Sequence, residues 1–207
     1  MKNPPLLFLD VETTGHDPLR RVRNSLVTWH EIIEIGAIAA TGGTLQIFGS
    51  FETKVKPEHP ERCLPALING YQERARQGEW HNAPSLGHAI FSFLSFCRKI
   101  NPGPFILAGQ NISFDWSFLS VAFAECGLHE DRFASAEYFH YARLDTRSMA
   151  VQKFCGEEGY DPDDFSLRAG LLQKRLDIKP EPLPHTALNG AMQAYELYKA
   201  LQKKPRS

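Results

Sequence analysis

Two carboxylates, Asp10 and Glu12, lie at the end of an apolar run near the start of the sequence, FLDVE. Residues two apart on a β-strand project from the same face, which places the two Cα atoms about 6–7 Å apart. Negative charges this close repel each other. Divalent cations relieve that repulsion, and a carboxylate cluster of this kind suits two ions about 3.5–4 Å apart. The pair alone does not separate a metal site from a solvated strand end, because the pattern Asp-x-Glu is common.

A third carboxylate and a histidine come from other parts of the chain. Asp115 follows the apolar segment FILAGQN and lies between Phe114 and Trp116, which favours a half-buried position. The alternative is an acidic residue attracted to the first turn of a helix by the helix dipole. His185 follows the segment KPEPLP and precedes a helix that Thr186 can cap. A histidine pKa near ~6.5 suits the deprotonation of water at neutral pH, although a lone histidine here also fits a surface or capping role.

The hydrophobic pattern predicts the elements that must position these groups. Apolar runs bounded by turn residues predict strands at 6–11, 31–40, 44–57, 104–109 and 137–145. Apolar steps of three and four predict helices at 65–77, 85–100, 114–127, 146–154, 167–176 and 186–201. Two stretches, 156–164 and the proline-spaced 179–184, are expected to be loops, and a polar, arginine-bearing stretch at 16–30 is expected to form a loop after the first strand. This order predicts an α/β fold with a central, mixed, five-stranded sheet flanked by helices.

Composition limits the class of protein. At 207 residues the chain fits one domain over residues 1–207, with a frayed tail at 203–207. A formal net charge of −1 gives no global attraction to nucleic acid, so any phosphate-binding surface must be local. The four cysteines form no Cys-x-x-Cys pair, which favours reduced, mostly buried thiols over a zinc knuckle. The apolar run before Asp10 is too short for a signal peptide or a membrane span, so we expect a cytoplasmic protein.

Three ordered segments, FLDVETTG, NISFD and HTALNGA, resemble the three motifs of the DEDDh family of 3′–5′ exonucleases. The segments IIEIGAI, KVKP and LDT are similar to that family as well. The resemblance runs over nearly the whole chain and implies a DnaQ-like exonuclease with an RNase H-like fold.

The resemblance also implies roles for individual residues. Asp10, Glu12 and Asp115 would bind two Mg²⁺ or Mn²⁺ ions, and His185 would be the general base that activates water. The substrate would be the 3′ end of single-stranded DNA or RNA, and the product a nucleoside 5′-monophosphate. Thr13, Thr14 and Gly15 would contact the terminal nucleotide beside the metal site. Asn111 would support the second motif. For the two threonines, a strand-to-loop turn is an equally good interpretation.

The sequence departs from the family at Gly190, where the last motif has its fourth metal-binding aspartate. Glycine cannot bind a metal ion through a side chain and costs roughly 0.5–1 kcal/mol relative to alanine inside a helix, so local stability does not explain it. We expect one ion to be bound more weakly or lost, and turnover to fall by orders of magnitude. Three explanations stay open: a change introduced to trap substrate, a natural protein that binds nucleic acid or acts as a scaffold without cutting, or replacement by water or another acid. Asp145 is a candidate for that acid, although it fits a helix N-cap better.

A substrate surface is expected in the loop that follows the first strand. Arg20, Arg21 and Arg23 are available to contact phosphates, and Trp29 and His30 to stack on bases. The alternative is an ordinary solvated loop.

Overall fold

The computed structural model describes residues 3–64, 69–128, 137–155 and 171–203. The strands are β1 Leu6–Thr13, β2 Leu19–Val22, β3 Ser25–Thr28, β4 Ile32–Ala40, β5 Ile47–Lys54, β6 Phe105–Gly109 and β7 Phe139–Asp145. The helices are α1 Tyr71–Arg76, α2 Leu86–Ile100, α3 Ile112–Glu125, α4 Thr146–Phe154, α5 Leu171–Arg175 and α6 Ala187–Gln202, with a short 3-10 helix at Pro60–Arg62.

Five of the strands form one mixed sheet in the order β5-β4-β1-β6-β7. Strand β4 runs antiparallel to β1 and β5, whereas β6 runs parallel to β1 and β7. All residues of β4 are buried, as expected for a strand covered on both faces. The α/β fold with a mixed five-stranded sheet flanked by helices, expected from the sequence, is confirmed.

The two faces of the sheet are covered by different helices. On one face Leu7 of β1 shares a hydrophobic core with Phe93 of α2 and with residues of α3. On the other face Phe8 packs against Tyr195 of α6, with the two rings edge to face. Because side chains alternate along a strand, the even-numbered positions of β1 that follow, which include both carboxylates, face α6.

Capping residues explain where several helices begin. Helix α4 covers the predicted residues, and Asp145 caps it by accepting a hydrogen bond from the Arg147 N–H (2.9 Å). Helix α3 begins at Ile112, two residues earlier than predicted, because Asn111 adopts a left-handed conformation (φ 62°) that turns the chain directly into the helix.

Several predicted boundaries were wrong or lie partly outside the described residues. The stretch 16–30 contains an antiparallel hairpin, β2 with β3, rather than only a loop. The third long strand is shorter than predicted, Ile47–Lys54. Of the predicted helices 65–77 and 167–176, the structure describes helix only at Tyr71–Arg76 and Leu171–Arg175. Residues 65–68, 156–170, with the predicted loop 156–164, and 204–207 of the predicted tail lie outside the described residues.

All four cysteines are free thiols. Cys63 and Cys97 are buried, Cys126 is partly buried and Cys155 is exposed, so the expectation of mostly buried thiols holds for only half of them. Among the described helices, none combines the length and the apolar character that crossing a membrane requires.

Candidate active site

Asp10 and Glu12 project from β1 on the side of helix α6, as their spacing predicts. In the pairing of β1 with β4, Asp10 lies opposite Gly36, and Glu12 lies opposite Glu34. Both carboxylates are half-buried. The strand therefore delivers two acidic groups to the space between the sheet and α6.

Asp115 reaches the same place from the first turn of α3. Its side chain is almost fully buried, with 2% of the residue exposed, and its Oδ1 accepts a hydrogen bond from the backbone N–H of Val11 (2.9 Å). Val11 is the residue between the two strand carboxylates, so this bond ties Asp115 to the centre of the pair. The structure thus brings together the three carboxylates that the sequence singled out.

Burial and neighbouring negative charges raise the pKa of all three carboxyl groups. Burial is the largest cause of the high pKa of Asp10, followed by the charges of Asp115 and Glu12. Burial raises the pKa of Glu12 to about 7, and the Asn69 amide partly offsets this effect. Burial likewise raises the pKa of Asp115 to about 8, against the lowering effect of the Val11 N–H. A cation placed among these groups would favour their charged forms.

His185 lies at the start of helix α6, and three neighbours hold it. Thr186 caps the helix as predicted, since its hydroxyl accepts a hydrogen bond from the Asn189 N–H (3.3 Å). The guanidinium of Arg74 donates to the carbonyl oxygen of His185 (3.3 Å). Nδ1 of the His185 ring lies 2.9 Å from Oε2 of Glu181, and this hydrogen bond is the main cause that raises the pKa of His185.

A buried ion pair between Glu34 and Arg74 supports this segment, and sequence reasoning missed it. Arg74 Nη2 lies 2.7 Å from Glu34 Oε1, and the side chains are 8% and 2% exposed. Oε2 of Glu34 accepts from the backbone N–H of Ala187 (3.2 Å), the first residue of α6. The sequence contains one signal for this ion pair. Glu34 is a charged residue inside the otherwise apolar segment IIEIGAI, and a buried charge requires a partner.

The closeness of α6 to the sheet depends on Gly36 of β4. A Cβ atom at this position would lie 2.1 Å from the carbonyl carbon of Ala187, which is a backbone atom and cannot turn away. The glycine in IIEIGAI therefore permits the contact that sets His185 beside the strand carboxylates.

Gly190 lies on the first turn of α6 directly beside Asp10. A Cβ atom at position 190 would be 2.4 Å from Oδ2 and 2.5 Å from Cγ of Asp10. The position therefore faces the carboxylates, as expected from the sequence, but it provides no ligand atom.

Asp145 does not fill the gap. Its Oδ1 accepts hydrogen bonds from the backbone N–H groups of Arg147 and Asn111 (both 2.9 Å), and its Oδ2 accepts from the Ser148 hydroxyl (3.0 Å). The capping role favoured from the sequence is confirmed. The same contacts explain Asn111, whose N–H joins the second motif to the cap of α4.

The segment Thr13-Thr14-Gly15 forms a turn in which both hydroxyl groups are engaged. The Thr13 hydroxyl donates to the carbonyl of Gly15 (2.6 Å), and the Thr14 hydroxyl accepts from the Glu31 N–H (2.9 Å). Gly15 packs against the His30 ring, where a Cβ would be only 2.4 Å from three ring atoms. These contacts support the turn interpretation, because both hydroxyl groups have partners within the protein.

Trp29 forms a cationic surface with two arginines. The guanidinium carbons of Arg20 and Arg62 lie 4.5 Å and 4.8 Å from the centre of its ring. Arg62 comes from the 3-10 helix and was not expected from the sequence. His30, by contrast, is buried, and its Nδ1 has no hydrogen-bond partner among the described residues, so the ring is not exposed for stacking on a base.

The donor atoms suit a hard divalent cation, although the side chains do not yet surround one point. Within residues 3–64, 69–128, 137–155 and 171–203, no group of three or more His, Cys, Asp or Glu side chains is arranged to hold a metal ion. The charges of Asp115 and Glu12 nevertheless raise the pKa of Asp10, and the charge of Glu12 raises the pKa of Asp115, which shows that the three groups lie close together. They offer the oxygen atoms that Mg²⁺ and Mn²⁺ prefer.

Comparisons with known proteins agree with this geometry. A family model described as an exonuclease matches residues 7–198. A 3′-exonuclease that recognises the histone mRNA stem-loop is 16% identical, with a TM-score of 0.68 over 97% of this chain and 64% of that chain. The nuclease domain of 3′hExo, a DEDDh family member bound to rAMP, is 15% identical, with a TM-score of 0.66 over 95% and 90%.

E. coli Exonuclease I in complex with a dT13 oligonucleotide is 17% identical, with a TM-score of 0.68 over 96% of this chain and 41% of that chain. The chain thus spans less than two thirds of Exonuclease I and of the histone mRNA exonuclease. A sequence search of curated proteins finds no match.

Proposed function

Because the chain belongs to the exonuclease family, whose model matches residues 7–198, we propose that it is a 3′–5′ exonuclease for single-stranded nucleic acid. The observation that carries this proposal is the convergence of Asp10, Glu12 and Asp115, at the end of β1, with His185 at the start of α6. Carboxylates from two elements and a histidine from a third meet here, and metal-assisted phosphodiester hydrolysis with a general base uses this combination.

The carboxylates would hold Mg²⁺ or Mn²⁺, which stabilises negative charge on the phosphate when it is bound. His185 would accept a proton from the attacking water through its ring. The water oxygen then bonds to the terminal phosphorus, the bond from phosphorus to the 3′ oxygen breaks, and that oxygen takes a proton from solvent. The products are a nucleoside 5′-monophosphate and a strand shortened by one nucleotide.

Substrate contacts follow from the surroundings of the carboxylates. We assign the backbone of Thr13, Thr14 and Gly15 to the terminal nucleotide, and Asn111 to the support of Asp115. The Arg20–Trp29–Arg62 surface would contact the strand further from its end, since guanidinium groups bind phosphates and stack on bases. The free thiols fit a reducing compartment such as the cytoplasm.

Gly190 favours a second candidate, a nucleic-acid-binding or scaffold protein that retains the fold and scarcely cuts. The two candidates differ in metal-dependent release of mononucleotides. The decisive experiment incubates 3′-labelled single-stranded DNA and RNA with the unsubstituted chain, with Gly190→Asp and with Asp115→Asn, in Mn²⁺ or in EDTA.

We expect slow release of mononucleotides by the unsubstituted chain in Mn²⁺, faster release by Gly190→Asp, and none by Asp115→Asn or in EDTA. If only Gly190→Asp releases mononucleotides, the unsubstituted chain is a binding protein. No release by any version would overturn the assignment as an exonuclease.

A further inference from the structure

A hydrogen bond joins Glu181 to His185 in the segment that leads into helix α6. Oε2 of Glu181 lies 2.9 Å from Nδ1 of His185, and the two side chains are 13% and 22% exposed. Pro182 and Pro184 lie between them and restrict the backbone φ angles to a narrow range. The pair is therefore held by a short, stiff segment and is shielded from much of the solvent.

We propose that Glu181 is a positioning residue for His185, an inference that rests on the proposed role of His185 as the base. A carboxylate that accepts a hydrogen bond from Nδ1–H selects one neutral tautomer of the imidazole, in which Nε2 carries the free electron pair. Nε2 is then the atom that accepts the proton from water. Once the ring is protonated, the carboxylate stabilises the imidazolium ion.

The other charged groups around His185 do not replace Glu181 in this role. Arg74 contacts the backbone carbonyl of His185 and not its ring. Glu12 on β1 faces the ring and raises the pKa of His185, but it is a smaller cause than Glu181 and belongs to the carboxylate cluster. Glu34 is occupied by Arg74 and by the Ala187 N–H. Among the described side chains, Glu181 is thus the carboxylate that forms a hydrogen bond with the ring.

The second carboxylate oxygen of Glu181 offers an alternative role, which is to bind a cation. Its Oε1 is buried and has no hydrogen-bond partner among the described residues. Its charge is close enough to raise the pKa of Asp10 and Glu12. The competing assignment is that Glu181 is a ligand of the metal ion. The metal affinity of Glu181 variants distinguishes this role from a positioning role.

The test compares Glu181→Gln and Glu181→Ala with Glu196→Gln, a control at an exposed ion pair with Lys199 on α6. The chain has 8 histidines, so ¹⁵N-histidine NMR spectra of the metal-free protein are assigned with His185→Asn. The tautomer and the titration midpoint of His185 are measured first, and Mn²⁺ affinity next. The last measurement is kcat and KM, both in the unsubstituted chain and in Gly190→Asp.

We expect His185 to be the Nδ1–H tautomer in the unsubstituted chain and a mixture of tautomers in Glu181→Ala. The titration midpoint should fall in both Glu181 variants, and kcat should fall about 10–100-fold with little change in KM, in line with the loss of a partner that orients a histidine. Glu196→Gln should change none of these. The acid limb of the pH–rate profile should move to lower pH, because the ring loses its proton more easily without the carboxylate.

An unchanged tautomer and midpoint in Glu181→Ala would overturn the inference and leave the exonuclease proposal intact. A loss of Mn²⁺ affinity as large as that caused by Glu12→Gln would overturn it in favour of a metal ligand. If no version releases nucleotides although the NMR changes appear, the proposed function fails, and the inference that rests on it fails as well.

Discussion

The carboxylate of Asp10 lies directly against the Cα of Gly190: a Cβ atom at position 190 would be 2.4 Å from Asp10 Oδ2. Side chains do not approach this closely, so any larger residue at 190 must turn the Asp10 carboxylate away. The glycine therefore has two effects. It removes an expected ligand, and it gives the Asp10 side chain a position that an aspartate at 190 would forbid.

Substitution of Gly190 separates these effects. Gly190→Ala adds only a Cβ, which improves helix propensity by about 1 kcal/mol but displaces Asp10. Gly190→Asp displaces Asp10 and also supplies a carboxylate. We expect the Mn²⁺ affinity, measured by calorimetry, to be lower in Gly190→Ala than in the unsubstituted chain and higher in Gly190→Asp. Nucleotide release should rise, on the order of 100-fold, only in Gly190→Asp. Equal affinity and stoichiometry in the two variants would contradict this account.

Loss of Arg74 should destabilise the protein far more than loss of its neighbour Arg76. Arg74→Ala leaves the buried Glu34 with only the more distant Lys54, whose Nζ lies 3.9 Å from Glu34 Oε1, and the loss of a close partner of a buried charge costs about 3–5 kcal/mol. Arg76 lies on the same helix in an exposed pair with Glu73, so Arg76→Ala should cost less than about 1 kcal/mol. Urea unfolding measures both, and similar losses would show that the buried pair is not important. A double variant, Arg74→Met with Glu34→Gln, has no buried charge at either position and should recover part of the lost free energy of unfolding.

Stability without metal should fall as the pH rises from about 4 to about 8. The folded-state pKa values of Glu12 and Asp115 are raised to about 7 and about 8, so over this range the folded protein binds more protons than the unfolded chain. This contribution is complete below the ordinary carboxyl pKa and is lost above the folded-state value. Thermal unfolding in EDTA at pH 5 and pH 8 measures it.

Glu12→Gln should reduce this pH dependence, whereas Glu52→Gln, at an exposed position, should not. Addition of Mn²⁺ at pH 8 should restore about 2.7 kcal/mol when the free ion is at 100 times its dissociation constant. If the unsubstituted chain and Glu12→Gln show the same dependence of thermal stability on pH, the electrostatic basis of the prediction is refuted.

The Arg20–Trp29–Arg62 surface predicts salt-dependent binding of single strands. Arg20→Ala and Arg62→Ala should each weaken binding of a fluorescent oligonucleotide and reduce the slope of log affinity against log salt by about 1. Trp29→Ala removes the ring on which both guanidinium groups lie and should weaken binding by tenfold or more, whereas Trp29→Phe should keep most of it. Arg98→Ala, on the last turn of α2, is the control, and an equal effect there would show that the attraction is not local.

The parts of the site that lie within short sequence segments were predictable. The two-residue period of a strand placed Asp10 and Glu12 on one face, and the cap at Thr186 located His185 at a helix start. Asp145 was predictable as a cap because it comes directly between a strand and a helix.

The parts that depend on distant contacts were not predictable. Glu34 and Arg74 are 40 residues apart, and no local pattern joins them. The hairpin β2 with β3 was missed because β2 is exposed along its length and so lacks the apolar alternation of a half-buried strand. The left-handed Asn111 depends on a hydrogen bond to Asp145, which belongs to another element.

The hydrogen bond between Glu34 and the Ala187 N–H joins residues that are 153 positions apart, so it forms only after two distant parts of the chain have come together. Contacts across so long a loop form slowly, because the loss of chain entropy comes before the contact that offsets it. Docking of α6 on the sheet is the step that brings His185 to the strand carboxylates, so a folding intermediate with an undocked α6 would lack the complete site. The order in which the elements pack, and not only the side chains, therefore determines when the site is assembled.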